Sequence, residues 1–136
     1  MAHALQLAQL GLHTTHPNPR VGCVLVKDDH IIAEGWHVKA GEPHAEIYAL
    51  KKAGKKARGA DCFVSLEPCA HAGKTPPCTG ALIAAGVRRV IAAAIDPNPQ
   101  VSGQGIAALK LAGIVTETGL MENDAQALNP GFEMRM

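Results

Sequence analysis

His44, Cys69 and Cys78 are the residues that most constrain this chain. Each carries a strong metal-donor atom and each directly follows a proline: Pro43, Pro68 and Pro77. A catalytic zinc ion takes three protein ligands and leaves its fourth position to water. One imidazole and two thiolates form such a set, so the fold must bring positions 44, 69 and 78 to one point. Glu46 follows His44 by two residues, close enough to face the same water and carry its proton without binding the metal. A metal lowers the pKa of bound water to about 7, which supplies hydroxide at neutral pH.

The local pattern says how the three can meet. Proline at 43 and Gly54 past the end predict a helix over 44–53, and Cys78 to Ala85 predicts another that Gly86 closes. Side chains in a first helical turn lean toward the N-terminus, so two helix starts aimed together can ring an ion. Their positive ends also favour thiolate over thiol. The lysines and arginine at 51, 52, 55, 56 and 58 read as a solvated helix face.

The remaining elements alternate. Helices are expected at 3–12, 105–112 and 121–128. A hairpin joins strands 21–27 and 31–37 through a turn at 28–30, and further strands are expected at 61–66, 88–95 and 114–118. Residues 14–20 and 67–77 read as loops. This order implies an α/β fold, a three-layer αβα sandwich with helices on both faces of a five-stranded mixed sheet.

Composition narrows the function. The chain has 136 residues, a formal charge of +1 and no basic tail or stripe, and its aromatics are confined to Phe63, Phe132, Tyr48 and Trp36. A nucleic-acid partner is therefore not expected. No run of 18 apolar residues exists, so no membrane span is expected, and Met1-Ala2-His3-Ala4-Leu5 lacks the features of a signal peptide. The chain is read as cytoplasmic, where its four cysteines are not expected to form disulfides. Cys23 and Cys62 fall in strands and read as small buried apolar residues. His71, between the two thiol ligands, is a rival ligand but is read as contacting substrate or capping the loop. His3, His13, His16 and His30 read as surface residues.

Other polar residues gather in loops. Asn18 and Asn98 each sit between two prolines, which hold the amide out from a stiff loop, where it can both donate to and accept from a pyrimidine edge or a ribose. Lys74 is a point charge suited to a substrate phosphate. Arg20, Thr75 and Asp96 are weaker substrate-contact candidates, and Glu67 has no assigned role.

Zinc deaminases carry the signature H-x-E…P-C-x-x-C. This chain has H-x-E and P-C in that order, but eight residues rather than two separate Cys69 from Cys78. With that loop, the sequence closely resembles the diaminohydroxyphosphoribosylaminopyrimidine deaminases of riboflavin biosynthesis. The matching stretches are His16–Cys23, Gly35–His37, Gly41–Glu46, Ser65–Cys69, Gly73–Cys78 and Asp96–Ile106. Ala70 and Ala72 depart from the usual residues of the loop.

The resemblance implies a cytidine deaminase-like fold and one zinc-dependent deaminase domain over 1–136. That domain is either standalone or the N-terminal part of a longer bifunctional chain, with NADPH needed only by a separate reductase domain. The implied reaction is hydrolytic deamination of 2,5-diamino-6-ribosylamino-4(3H)-pyrimidinone 5′-phosphate. Glu46 is the implied catalytic residue, with zinc on His44, Cys69 and Cys78. His37 enters as a substrate contact beside Asn18, His71, Lys74, Thr75, Asp96 and Asn98. The partner is then a small phosphorylated pyrimidine, with homo-oligomerisation and a fused reductase left open. The alternatives are a tRNA or nucleoside deaminase with the same zinc core, or a structural zinc module closed by Cys23 or Cys62.

Overall fold

Alternating side chains along β1 (Gly22–Lys27) decide which layer lies on which side of the sheet. Successive strand residues point to opposite faces. Val24 packs with Ala4 and Leu7 of α1 (Ala2–Gln9), while Cys23 and Leu25 pack with Ala45, Ala49 and Ala53 of α2 (Ala45–Ala53). The computed structural model describes residues 1–10, 21–37, 43–70, 78–96 and 102–128.

β1 pairs antiparallel with β2 (His30–Trp36) and, on its other side, antiparallel with β3 (Asp61–Val64). The hairpin closes through Asp28 and Asp29, both at positive φ (52° and 63°), the left-handed conformation a two-residue turn requires. β3 then pairs parallel with β4 (Arg89–Ala92), and β4 parallel with β5 (Val115–Thr118). The order β2-β1-β3-β4-β5 gives a five-stranded mixed sheet, as the sequence implied. A bulge between Leu25 and Val26 shifts the β1–β2 register.

On one face, α2 is followed by a short 3-10 turn (Gly54–Ala57), and the layer continues with α3 (Cys78–Ala85) and α4 (Gln104–Leu111). Leu82, Ile106 and Leu109 from these helices join Cys62, Val64 and Val90 in the main core. On the other face α1 packs with α5 (Glu122–Leu128) through Leu5, Ala8 and Ala125 against Ala93 and Ala94. The sandwich expected from the sequence is formed.

Two glycines let the helices sit close. A Cβ on Gly22 would lie 1.8 Å from the Ala4 carbonyl oxygen, and one on Gly35 would lie 2.6 Å from that of Ala45. Gly22 opposes Trp36 and Gly35 opposes Cys23 in the register, so neighbouring rungs carry the two approaches to opposite faces.

Element edges differ modestly from expectation. Proline 43 lies outside α2, whose N-cap is His44, rather than inside the helix start. Strands 3 and 4 end at Val64 and Ala92, short of the expected 66 and 95, because the chain turns there to build the site. Met121 has φ 59° and precedes α5 instead of opening it. The lysines at 51, 52, 55 and 56 and Arg58 are exposed, as are His3 and His30.

Candidate active site

The strand directions gather the site at one end of the sheet. β1 begins where β2, β3 and β4 end. Val21 lies at this end, where its carbonyl accepts the N–H of His37 at 3.0 Å. The start of α2 and the residues after β3 join it there, with the N–H of Ser65 donating to the Gly22 carbonyl at 3.0 Å.

His44, the N-cap of α2, has extended backbone (φ −73°, ψ 165°), which turns its ring away from the helix. Its Nδ1 lies 3.2 Å from Sγ of Cys78 and 3.8 Å from Sγ of Cys69. All three donor atoms fall within 4.8 Å of one another, and no fourth His, Cys, Asp or Glu joins the group among the described residues. A tetrahedral ion with M–S of about 2.3 Å and M–N of about 2.0–2.1 Å has donor–donor edges of roughly 3.6–3.8 Å. The donor set therefore fits a zinc ion, with one position open.

Electrostatics favour the same conclusion. The Cys69 thiol is pushed down to about 4, first by its hydrogen bond with Cys78 and then, against burial, by its contact with His44 and the backbone N–H of Cys78. That N–H, the first of α3, donates to Cys69 Sγ at 3.2 Å. Cys78 is raised well above the usual thiol value, first by its bond to Cys69, then by burial and the charges of Glu46 and Cys69. His44 is raised as well, chiefly by Cys69. Two adjacent thiols that cannot both ionise cheaply, beside an imidazole drawn toward protonation, are calling for a cation. A bound dication would deprotonate them together.

Glu46 lies in the first turn of α2 and is 3% exposed. Burial pushes its carboxyl up to about 7, partly opposed by the backbone N–H, His44 and Cys78. A carboxyl near neutrality can both accept and return a proton.

His37 is brought to the site, with its ring edge-to-face against His44 at 5.3 Å between centroids and its Nδ1 3.1 Å from the Pro43 carbonyl oxygen. Asp96 also reaches this end, its backbone N–H bound to Glu67. Asn18, Arg20, His71, Lys74, Thr75 and Asn98 lie outside the described residues. Cys23 and Cys62 are fully buried in the sheet, Sγ to Sγ 3.5 Å, and neither belongs to the metal-donor group. That removes the closed structural site among the described residues.

Glu67 is the participant sequence reasoning left without a role. Its buried carboxylate accepts three backbone N–H groups, from Asp96, Gly103 and Ile106.

Residues 1–94 match the family model of the cytidine and deoxycytidylate deaminase zinc-binding region. The chain is also 54% identical, over all its 136 residues and 92% of the relative, to the diaminohydroxyphosphoribosylamino-pyrimidine deaminase of Buchnera aphidicola from Acyrthosiphon pisum. The chain belongs to the diaminohydroxyphosphoribosylaminopyrimidine deaminase family. As a member of this zinc deaminase family, it is similar over its full length to the riboflavin biosynthesis protein RibD of Escherichia coli K12, at 61% identity, but spans only 37% of that protein. Among solved structures, Acinetobacter baumannii RibD superposes with a TM-score of 0.98 at 55% identity, over 99% of this chain and 38% of that one. The deaminase family resemblance and the cytidine deaminase-like fold inferred from the sequence are thus both found. No helix among the described residues is long and apolar enough to cross a membrane.

Proposed function

We propose that this chain hydrolytically deaminates 2,5-diamino-6-ribosylamino-4(3H)-pyrimidinone 5′-phosphate, leaving a uracil-type carbonyl and ammonia. The observation that carries the reading is the open three-donor group of His44, Cys69 and Cys78 beside the buried carboxyl of Glu46. In this reading His44 Nδ1 and the two thiolates hold zinc, which when bound supplies the Lewis acidity that brings a water's pKa to about 7.

The residues of the chain do the rest. Glu46 accepts a proton from the attacking water as the hydroxyl bonds to the ring carbon bearing the 2-amino group. It then delivers that proton to the amino nitrogen, the C–N bond breaks and ammonia leaves, and the hydroxyl proton passes to the adjacent ring nitrogen to leave the carbonyl. Burial of Glu46 raises its proton affinity above that of an ordinary carboxylate, which helps it take the proton. His37 packs against the ligand ring and is assigned to substrate contact, together with Asp96, Asn18, His71, Thr75 and Asn98. Lys74 is assigned to the phosphate. The 136 residues form one deaminase domain in this reading, working in the cytoplasm. Any NADPH-dependent reduction belongs to a separate domain, which the greater length of the RibD relatives would accommodate.

The test is ammonia release from the diaminopyrimidine ribosyl phosphate, with cytidine and a tRNA anticodon stem-loop run in parallel. Release from the first substrate alone is expected. Glu46→Ala should lower kcat by about 10²–10⁴-fold, the usual worth of a positioned proton carrier, with zinc content unchanged. Turnover of cytidine or the stem-loop instead would assign the site to another heterocycle.

A further inference from the structure

Glu67 takes no part in the chemistry above, yet the residue is only 6% exposed and its carboxylate is shared among three donors. One oxygen, Oε1, accepts the N–H of Asp96 at 3.1 Å and that of Gly103 at 3.0 Å, and Oε2 accepts the N–H of Ile106 at 3.0 Å. Gly103 is the N-cap of α4, which has no side-chain cap of its own, and Ile106 is its third residue. These are the two N–H groups that a capping box satisfies from within the helix. Here one carboxylate, 36 residues away from Gly103, satisfies both.

The same residue stands two places before Cys69. Its own N–H donates to the Ala94 carbonyl at 2.8 Å. Pro68 is fully buried, and its carbonyl oxygen would sit 1.9 Å from a Cβ at Gly105, so this stretch of backbone rests directly on the start of α4. Beyond it, the Cys69 carbonyl accepts the N–H of Thr79 at 3.1 Å. Residues 67 to 69 are pinned on one side to the segment that follows β4 and to α4, and on the other to α3.

We infer that Glu67 is a positioning residue for the Cys69 thiolate: by capping α4 from a distance, it holds the Pro68–Cys69 backbone in place so that Sγ stands in the ligand position before an ion arrives. The inference rests on the reading of His44, Cys69 and Cys78 as the zinc ligands. Glu67→Gln keeps the volume and one carbonyl oxygen but points an NH₂ group at a backbone N–H. Two donors then face each other and the seat must open. Glu67→Ala removes the acceptor shared by all three N–H groups.

The experiment uses the zinc-loaded chain and measures zinc transfer to an excess of a chromogenic chelator, with a thermal melt of each apo variant. Leu109→Ala, in the same helix but outside these hydrogen bonds, is the control for stability alone. Zinc release is expected to quicken about 10-fold in Glu67→Gln and up to about 100-fold in Glu67→Ala, the range seen when groups supporting a ligand are removed. Leu109→Ala should release zinc at the parent rate despite an equal or larger fall in melting temperature. Parent-like release from Glu67→Gln overturns the inference. So does equally fast release from Leu109→Ala at a matched melting temperature, which would make Glu67 a support of the fold in general. Should Glu67→Ala fail to fold, Glu67→Gln against Leu109→Ala decides. A parent chain that binds no zinc overturns the ligand reading itself, a failure separable from this one.

Discussion

Four cysteines of one chemical type serve two purposes here, and their neighbours make the difference. Cys69 and Cys78 face an imidazole and the N–H of a helix start, which favour charge. Cys23 and Cys62 face each other inside the sheet, where the Cys23 thiol is raised by its hydrogen bond with Cys62 and by burial. Cys23→Ala and Cys62→Ala should therefore each leave the zinc content at the parent value by metal analysis. Each should lower unfolding free energy in urea by about 1–2 kcal/mol, the cost of emptying a small buried volume. Loss of zinc from either variant would mean that a sheet thiol reaches the ion. The ligand group was legible because His44 and Cys78 stand at signalled helix starts and Pro68-Cys69 follows a strand, each donor directly behind a proline. Glu67 was not legible in the same way. Its partners lie 29 to 39 residues further on and are backbone N–H groups, which every residue but proline possesses. His37 entered as a substrate contact through the family resemblance, which says nothing of its packing on the His44 ring, since that depends on how α2 seats on β2.

That seat is a property of the elements. α2 approaches β2 over Gly35, where a Cβ would meet the Ala45 carbonyl at 2.6 Å and the Ala49 nitrogen at 2.9 Å. Gly35→Ala should push out the first turn of α2, and with it His44 and Glu46. The expected result is a loss of about 1–3 kcal/mol or more, as for overpacking elsewhere, together with weakened zinc retention. Gly22→Ala collides instead with α1 on the opposite face, 1.8 Å from the Ala4 carbonyl. It should destabilise at least as much in a urea melt, while the molecules that remain folded keep their zinc. Equal zinc loss in both would show that the two faces do not act separately. At this scale the sequence was informative about element type and order, because each helix and strand carries its own period and its own stop. It was less informative about ends. Strand 3 was read to Leu66, yet the strand ends at Val64. There the chain leaves the sheet to deliver Pro68 and Cys69, a tertiary demand that local propensity does not register.

For the molecule as a whole, the site acts as a clasp. His44 comes from the start of α2, Cys69 from the exit of β3 and Cys78 from the start of α3, so an ion joins three segments, the last two of which are also hydrogen-bonded to each other. Binding to the folded state alone stabilises it in proportion to the logarithm of metal over dissociation constant. Treatment with a strong chelator should lower the melting temperature by about 10 °C or more, and added zinc should restore it. An unchanged melting temperature on confirmed zinc loss would mean that the ion does not favour the folded chain over the unfolded one.

The hairpin turn at Asp28 and Asp29 lies at the far end of β1 from all of this. The six residues of β1 span roughly 20 Å at the usual strand rise. A peptide handle spliced into that turn, or a surface to which the protein is tethered there, would stand a full strand length from the reacting atoms. The molecule thus offers a natural point of attachment from which its working end faces outward.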